Sequence, residues 1–78
     1  MITVRFFAAA REAVGADSES MAFAGPVAEF RRALADRWPS LSCLLPRCAV
    51  AVNRTYACDD SAIAPGDEVA LLPPVSGG

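Results

Sequence analysis

The sequence predicts an α+β fold in which one mixed β-sheet of four or five strands packs against one main helix. Several short segments alternate apolar and polar residues with a period of two, one segment carries an apolar stripe with helical spacing, and glycine and proline separate them. A chain of 78 residues holds one compact core rather than two. We therefore expect one domain, residues 1–72, followed by a flexible C-terminal tail, residues 73–78, that ends in Gly-Gly.

The first predicted strand covers residues 2–8, "ITVRFFA". Its side chains alternate in the pattern of a strand with one buried face. Three residues on one face are expected in the core: Ile2, Val4 and Phe6. Phe7 falls on the opposite face, where it is either covered by a neighbouring segment or available to a partner.

The next two segments predict a helical turn and a second strand. Residues 9–17 contain helix-forming alanines but stop at Gly15, so we expect a short helical turn that leads into a loop. Residues 19–24 alternate again and predict a strand antiparallel to the first. The two strands would form a hairpin with a long connection.

The apolar stripe with helical spacing follows Gly25-Pro26. We expect Pro26 at the first helical position, where proline loses no hydrogen bond that it would otherwise make. Four apolar residues form the buried face of this helix: Val27, Phe30, Leu34 and Trp38. Pro39 ends the helix because proline disfavours helical geometry in the residue before it.

The second half of the chain predicts three more strands. Residues 48–53 and 55–58 form a hairpin around a tight turn at Asn53-Arg54. Pro65-Gly66 matches the central pair of a type II turn, and residues 68–72 alternate as the last strand. The order strand, strand, helix, strand, strand, strand is that of a β-grasp fold, the architecture of ubiquitin.

Charge and cysteine content exclude several classes of protein. The net charge is −2, and the seven basic residues are all arginines that form no basic stripe, so nucleic acid is not expected as a partner. The longest apolar runs are far shorter than the roughly 20 residues of a membrane span, so we expect a cytoplasmic protein. Three cysteines without histidine or paired spacing are expected to be small buried hydrophobes: Cys43, Cys48 and Cys58.

The residue pattern predicts neither a catalytic nor a metal site. The chain has no histidine to act as a base near neutral pH, and no serine or cysteine has an evident base partner. Asp59-Asp60 lie in a turn-rich stretch, where solvated carboxylates are the ordinary interpretation. Asp67-Glu68 enter a strand, so their side chains point to opposite faces and do not converge on a metal.

The C-terminal segment is the remaining candidate for function. Pro73-Pro74 predict a stiff, extended stem, after which Val75 and Ser76 precede the two terminal glycines. Gly77-Gly78 have no Cβ, so this end of the backbone fits a channel too narrow for side chains. A carboxylate is a poor acyl donor until it is activated, for example by ATP-dependent adenylation. We therefore interpret the tail as a substrate handle that another enzyme uses.

Three segments resemble the small subunits of molybdopterin synthase, the MoaD-like branch of the ubiquitin-like sulfur carriers. They are "VRFFAAAREAVG" at 4–15, "VAVN" at 50–53 and "GDEVALLPPVSGG" at 66–78. The resemblance covers the whole chain, and the last segment is the most specific. Leu71-Leu72 stand where the family has two aromatic residues, which keeps the hydrophobicity but loses ring contacts.

The resemblance implies a mechanism in which this chain is a non-catalytic subunit and co-substrate. A ubiquitin-activating-like adenylyltransferase would use ATP to adenylate Gly78, and a sulfur donor would convert it to a thiocarboxylate. The tail, residues 73–77, would then thread Gly78 into the large subunit of a heterotetrameric synthase, which transfers the sulfur to cyclic pyranopterin monophosphate. The chain itself would bind no cofactor. Phe7, Arg11 and Leu72 would form the partner interface beside the root of the tail.

Three other functions stay open. A sulfur carrier for thiamin thiazole or cysteine synthesis would share the diglycine end. A ubiquitin-like protein modifier would join its carboxylate to lysines of other proteins. A plain binding module with an idle tail would keep its activity without Gly77-Gly78.

Overall fold

A computed structural model describes residues 1–74 and confirms the predicted α+β, β-grasp architecture. The strands are β1 (Ile2–Phe6), β2 (Ser18–Met21), β3 (Gly25–Pro26), β4 (Ala49–Val52), β5 (Thr55–Ala57), β6 (Ala62–Ile63) and β7 (Glu68–Leu72). The helices are α1 (Ala8–Val14) and α2 (Val27–Arg37), and two 3-10 turns follow at Pro39–Leu41 and Leu45–Arg47. Within this part of the chain, neither helix has the length and apolar character needed to cross a membrane.

Five strands form one mixed sheet in the order β2-β1-β7-β4-β5. The two central strands, β1 and β7, are parallel, with Thr3 opposite Glu68 and Phe6 opposite Leu71. The other neighbours in this sheet are antiparallel. The parallel pair is possible because the whole intervening chain, including α2, crosses from one central strand to the other.

One face of the sheet packs against α2 and forms the core. The predicted inward residues of β1 are buried, and so are the first three residues of the helical stripe. Trp38 lies just beyond the end of α2, half-buried, with its ring edge-on to Phe6 at 5.1 Å between centroids. The core side of β4 and β7 adds Val50, Val69 and Leu71.

Two local predictions differ from the structure. Pro26 is extended (φ −73°, ψ 154°) and precedes α2, because it pairs with Ala62 in a two-residue ladder between β3 and β6. So short a strand has no periodicity that a sequence can display. Of the three cysteines only Cys48 is buried, and its burial raises the pKa of the thiol, while nearby Arg31 lowers it. Cys43 and Cys58 are exposed, so the prediction that all three are buried is wrong.

The turn at Asn53-Arg54 is confirmed, and its asparagine binds the start of β7. Both residues have positive φ, 49° and 68°, as the type I′ two-residue hairpin turn requires. Asn53 Oδ1 accepts from the backbone N–H of Glu68 at 3.0 Å, and Asn53 Nδ2 donates to Asp67 Oδ1 at 3.1 Å. Asp67 Oδ2 accepts from the backbone N–H of Ala64 at 2.9 Å. This network, the Asn53–Asp67 clamp, ties the hairpin tip to the turn before β7.

The junction between β1 and α1 has an unusual backbone. Ala8 begins α1 with φ 51°, a left-handed value that a residue with a Cβ adopts at a cost of about 1–2 kcal/mol. Phe7 precedes it in an extended conformation without a side-chain cap. The left-handed backbone at Ala8 joins the extended Phe7 directly to the first turn of α1.

We predict that Asp67→Ala destabilises the domain and that the loss depends on pH. The two hydrogen bonds, first that from Ala64, hold the pKa of the Asp67 carboxyl below its ordinary value of 3.8. A lowered pKa in the folded state stabilises the fold above the unfolded value and stops doing so as pH falls through the folded value. Thermal melts should show a melting temperature a few degrees lower for the variant at pH 7, with a smaller difference near pH 3. Asp60→Ala is the control, and equal losses for both variants at every pH would contradict the role of the clamp.

We also predict that Ala8→Gly raises stability by up to about 1 kcal/mol, because glycine adopts positive φ without the steric penalty. Ala9→Gly in the same helix should instead lower stability by about 1 kcal/mol. Urea unfolding of the two variants and the parent measures both. A loss at position 8 equal to that at position 9 would show that Ala8 is not strained.

Candidate functional site

The tail leaves the centre of the sheet, at the end of β7. Leu72 is the last paired residue, and Ala49 at the start of β4 lies opposite it. Because β1 runs parallel to β7, the C-terminal ends of both strands lie at the same end of the sheet. Pro73 is half-buried and Pro74 exposed. Proline has no N–H for a ladder, so the strand ends here and the chain must leave the sheet.

The face opposite α2 has a floor of small side chains. In the strand register, Ala51 lies beside both Ala70 and Tyr56, and Ala49 lies beside Leu72. Tyr56 is 77% exposed at one side of this floor, and Phe7 is 40% exposed at the other. We call this surface the alanine face: Phe7, Leu72, Ala49, Ala51, Ala70 and Tyr56.

Phe7 and Leu72 lie next to each other at the root of the tail. Phe6 is opposite Leu71, so one further step of the parallel register places Phe7 beside Leu72. The guanidinium of Arg5 stands 5.8 Å from the centre of the Phe7 ring and also binds Glu68, with 3.3 Å between Arg5 Nη1 and Glu68 Oε2. Phe7 is thus available to a partner, as one of the two interpretations of its position in the sequence predicted.

Arg11 lies on the other side of Phe7. A cleft of about 330 Å³ is lined by Arg5, Phe6, Phe7, Ala8, Arg11 and Asp17. Arg11 Nη1 is 3.5 Å from Asp17 Oδ1, and Asp17 precedes β2, on the side of β1 away from β7. The structure therefore brings Phe7 close to each of the other two predicted interface residues, to Arg11 across the cleft and to Leu72 through the strand register.

The two ion pairs near the root of the tail, Arg5–Glu68 and Arg11–Asp17, are exposed to solvent. The side chains of Arg11 and Asp17 are 58% and 81% exposed, and those of Arg5 and Glu68 are 48% and 37% exposed. Exposed ion pairs of this kind contribute little to stability because water and salt screen them. A partner carboxylate can replace either acidic residue at little cost to the fold. The site thus combines the apolar side chains of the alanine face with two guanidinium groups at its rim, those of Arg5 and Arg11.

Some residues of the site have no counterpart in the sequence predictions. Arg5 and Tyr56 were not predicted as surface contacts, since each lies on the polar side of a short strand like many solvated residues. The small floor was signalled by the alternating alanines of residues 48–53, but its extension to Ala70 depends on the register. Val75, Ser76, Gly77 and Gly78 lie outside the described residues. Within residues 1–74, no group of three or more cysteine and carboxylate side chains is placed to hold a metal ion.

Comparison with known proteins supports the resemblance that the sequence suggested. The chain is 43% identical to the molybdopterin synthase sulfur carrier subunit of Escherichia coli over 82 aligned positions, which cover 100% of both proteins. The crystal structure of SAMP1 from Haloferax volcanii superposes with a TM-score of 0.80, at 30% identity, over 99% of this chain and 98% of the other.

A complex of subunits 1 and 2 of molybdopterin-converting factor from Helicobacter pylori contains a similar chain. The match has a TM-score of 0.70 at 28% identity and covers 99% of this chain and 97% of that one. The family model described as the ThiS family matches residues 4–78. The chain belongs to the ThiS family, and within it this chain is similar over its whole length to the MoaD-like small subunits of molybdopterin synthase.

Proposed function

We propose that this chain is the sulfur-carrier subunit of molybdopterin synthase. The observation that carries the proposal is the likeness over the full length to proteins of that name, at 35–43% identity. The fold supports this proposal, because the tail that ends in Gly78 begins at Pro73, directly after β7 and beside the alanine face. In this function the chain is a co-substrate, and the catalytic groups belong to its partners.

The reacting group is the carboxylate of Gly78. One carboxylate oxygen attacks the α-phosphorus of ATP in the active site of a ubiquitin-activating-like adenylyltransferase, and pyrophosphate leaves. A sulfide-level sulfur donor then attacks the carbonyl carbon and expels AMP, which leaves a thiocarboxylate with the same single negative charge. The thiocarboxylate sulfur is a better nucleophile at neutral pH than the carboxylate oxygen that it replaces. ATP is consumed by the activating enzyme, and this chain needs no cofactor of its own.

The large subunit is the partner that consumes the sulfur. The relative from Helicobacter pylori is found in a complex with a second subunit, which supports a two-subunit assembly for this chain. We propose that the alanine face docks on the large subunit while the tail enters its active site. The six residues from Pro73 to Gly78 reach at most about 20 Å, which sets the depth of that site below the docking surface. There the sulfur passes to cyclic pyranopterin monophosphate.

The leucine pair before the prolines defines what the partner must supply. Leu71 is fully buried on the core side, whereas Leu72 is half-buried on the alanine face. Only Leu72 therefore replaces a family aromatic residue at the surface. A smaller side chain at this position leaves space beside Phe7, and the large subunit is expected to fill it with an apolar side chain of its own.

A protein modifier is the second candidate function. Two crystal structures of SAMP1 from Haloferax volcanii, one of them described as small archaeal modifier protein 1, superpose on this chain with TM-scores of 0.80 and 0.78. Both functions begin with the same adenylated glycine. They differ in the nucleophile that follows, which is sulfide for a carrier and a lysine amine of another protein for a modifier.

We predict that the purified chain gains sulfur at Gly78. Incubation with the adenylyltransferase, ATP and sulfide should give a mass increase that equals the replacement of one oxygen atom by sulfur. Deletion of Gly78 should abolish the gain, and Ser76→Ala should keep it. Intact-protein mass spectrometry is the measurement. Adenylation without sulfur incorporation, together with lysine-linked adducts in a cell extract, would favour the modifier.

We further predict that Phe7→Ser and Leu72→Ser each weaken binding to the large subunit at least tenfold. Both remove apolar contact at the centre of the proposed interface, where truncations cost roughly 2 kcal/mol or more. Titration calorimetry measures the affinity, and thermal melts check that the variants are folded. Asp36→Ser is the control, because Asp36 is an exposed residue of α2, which covers the opposite face of the sheet. Unchanged affinity in both variants would show that the large subunit docks elsewhere.

A further inference from the structure

A groove lies on the side of the molecule that α2 covers, away from the alanine face. It has a volume of about 240 Å³ and is lined by Arg31, Arg32, Ala35, Ser42, Leu45 and Pro46. Alanine, leucine and proline give it apolar walls, and arginine side chains add their methylene groups to such a surface. Its volume is below the roughly 300–1,000 Å³ of pockets that hold whole small molecules. We call this feature the α2 groove, and its size fits one aliphatic side chain.

The two arginines of the α2 groove differ in what holds them. Arg31 Nη1 donates to the backbone carbonyl of Leu45 at 2.6 Å, and Arg31 Nε donates to Asp59 Oδ1 at 3.1 Å. The Arg31 side chain is only 23% exposed, so it is part of the wall. Arg32 is exposed, and within residues 1–74 it forms no ion pair. Its guanidinium is therefore a cation at the rim that an incoming anion can bind.

The segment that forms the α2 groove is basic, although the whole chain has a net charge of −2. Residues 29–47 contain only two of the nine acidic residues, Glu29 and Asp36. They contain four of the seven arginines: Arg31, Arg32, Arg37 and Arg47. Charges at a protein surface act over roughly 10 Å at 0.1 M ionic strength. This region therefore attracts anionic groups that the acidic remainder of the chain repels.

The walls and the rim together favour an acidic protein segment over a nucleic acid. Proteins that bind single-stranded nucleic acid stack its bases on aromatic side chains. Among the described residues, the lining of the α2 groove is aliphatic and polar, with no aromatic ring. We propose that the α2 groove binds an acidic segment of a partner protein, with one aliphatic side chain of that segment in the groove and neighbouring carboxylates on Arg32.

The α2 groove and the alanine face do not overlap. The turn Leu45–Arg47 directly precedes β4, and Ala49 of β4 lies opposite Leu72, so the groove is near the end of the sheet where the tail begins. It lies on the α2 side, whereas the alanine face is the other face of the sheet. A protein bound in the groove thus leaves the alanine face exposed to a second partner. Binding of the acidic segment does not depend on the proposed function.

The test is a titration of the ¹⁵N-labelled full chain with the blocked pentapeptide Glu-Asp-Leu-Asp-Glu at low ionic strength. We expect saturable shifts of the amide resonances of Arg32, Ala35, Ser42 and Leu45, with a dissociation constant on the order of 1 mM. Arg32→Glu should weaken binding at least about threefold, because it replaces an attraction at an exposed site by a repulsion. Thermal melts check that the variant is folded.

The controls separate charge from shape. Arg54→Glu makes the same charge change in the turn between β4 and β5, at the other end of β4, and should leave the affinity unchanged. The peptide Glu-Asp-Ser-Asp-Glu keeps the charges and lacks the aliphatic side chain, whereas Gln-Asn-Leu-Asn-Gln keeps the leucine and lacks the charges. Each should bind at least about threefold more weakly than the parent peptide.

Several results would overturn the proposal. The first is the absence of saturable shifts at the residues of the groove, and the second is equal affinity of Arg32→Glu and Arg54→Glu. Equal binding of the leucine and serine peptides would show that the apolar walls have no part. Shifts that follow protein concentration without peptide would assign the groove to a second copy of the chain, and equal shifts with oligothymidylate would assign it to nucleic acid. Because neither an activating enzyme nor the large subunit takes part, failure here is separate from failure of the sulfur-loading experiment.

Discussion

The parallel pairing of β1 with β7 determines where every functional group of this domain lies. These two strands are neighbours inside the five-stranded sheet, and their C-terminal ends lie side by side at the same end of it. That arrangement sets Phe7 beside Leu72, although 64 residues separate them in the sequence. It also makes the tail emerge between two neighbouring strands rather than from an outer edge. A partner that grips the tail therefore meets sheet on both sides of its root.

The two ends of β7 differ in their surroundings. The Asn53–Asp67 clamp and the hairpin turn lie where β7 begins, and they fix the register of that strand. Phe7 and Leu72 lie where β7 ends, whereas the guanidinium of Arg5 reaches back to Glu68 at the start of that strand. The bonds of the clamp involve neither Phe7 nor Leu72, so the side chains at the root of the tail can change without loss of those bonds. Leu72, half-buried at the surface where the family resemblance implies an aromatic residue, is such a position.

Periodicity predicted most of the fold, because buried strands and helices imprint their period on the sequence. The alternation of residues 2–6 and 68–72 and the stripe on α2 correspond to the observed core. The pairing of β3 with β6 and the exposure of Cys43 and Cys58 depend on tertiary contacts, which a local pattern does not encode. For the site, the resemblance supplied Phe7, Arg11 and Leu72, and only the register showed which of them are neighbours. The small side chains of the alanine face come together only when β5, β4 and β7 are aligned, so no single segment of the sequence could predict that surface.

The central position of β7 also governs the order in which the domain can form during synthesis. The first strand made needs the last one as its partner, so contacts between distant parts of the chain dominate, and such folds form slowly compared with helical bundles. Until residues 68–72 leave the ribosome, β1 and β4 have no strand between them and their apolar faces stay unpaired. A chain cut short before β7 would not become a folded carrier that lacks its tail, because it would lose the middle of its sheet. Every copy that folds therefore contains β7 and, with it, the root of the tail.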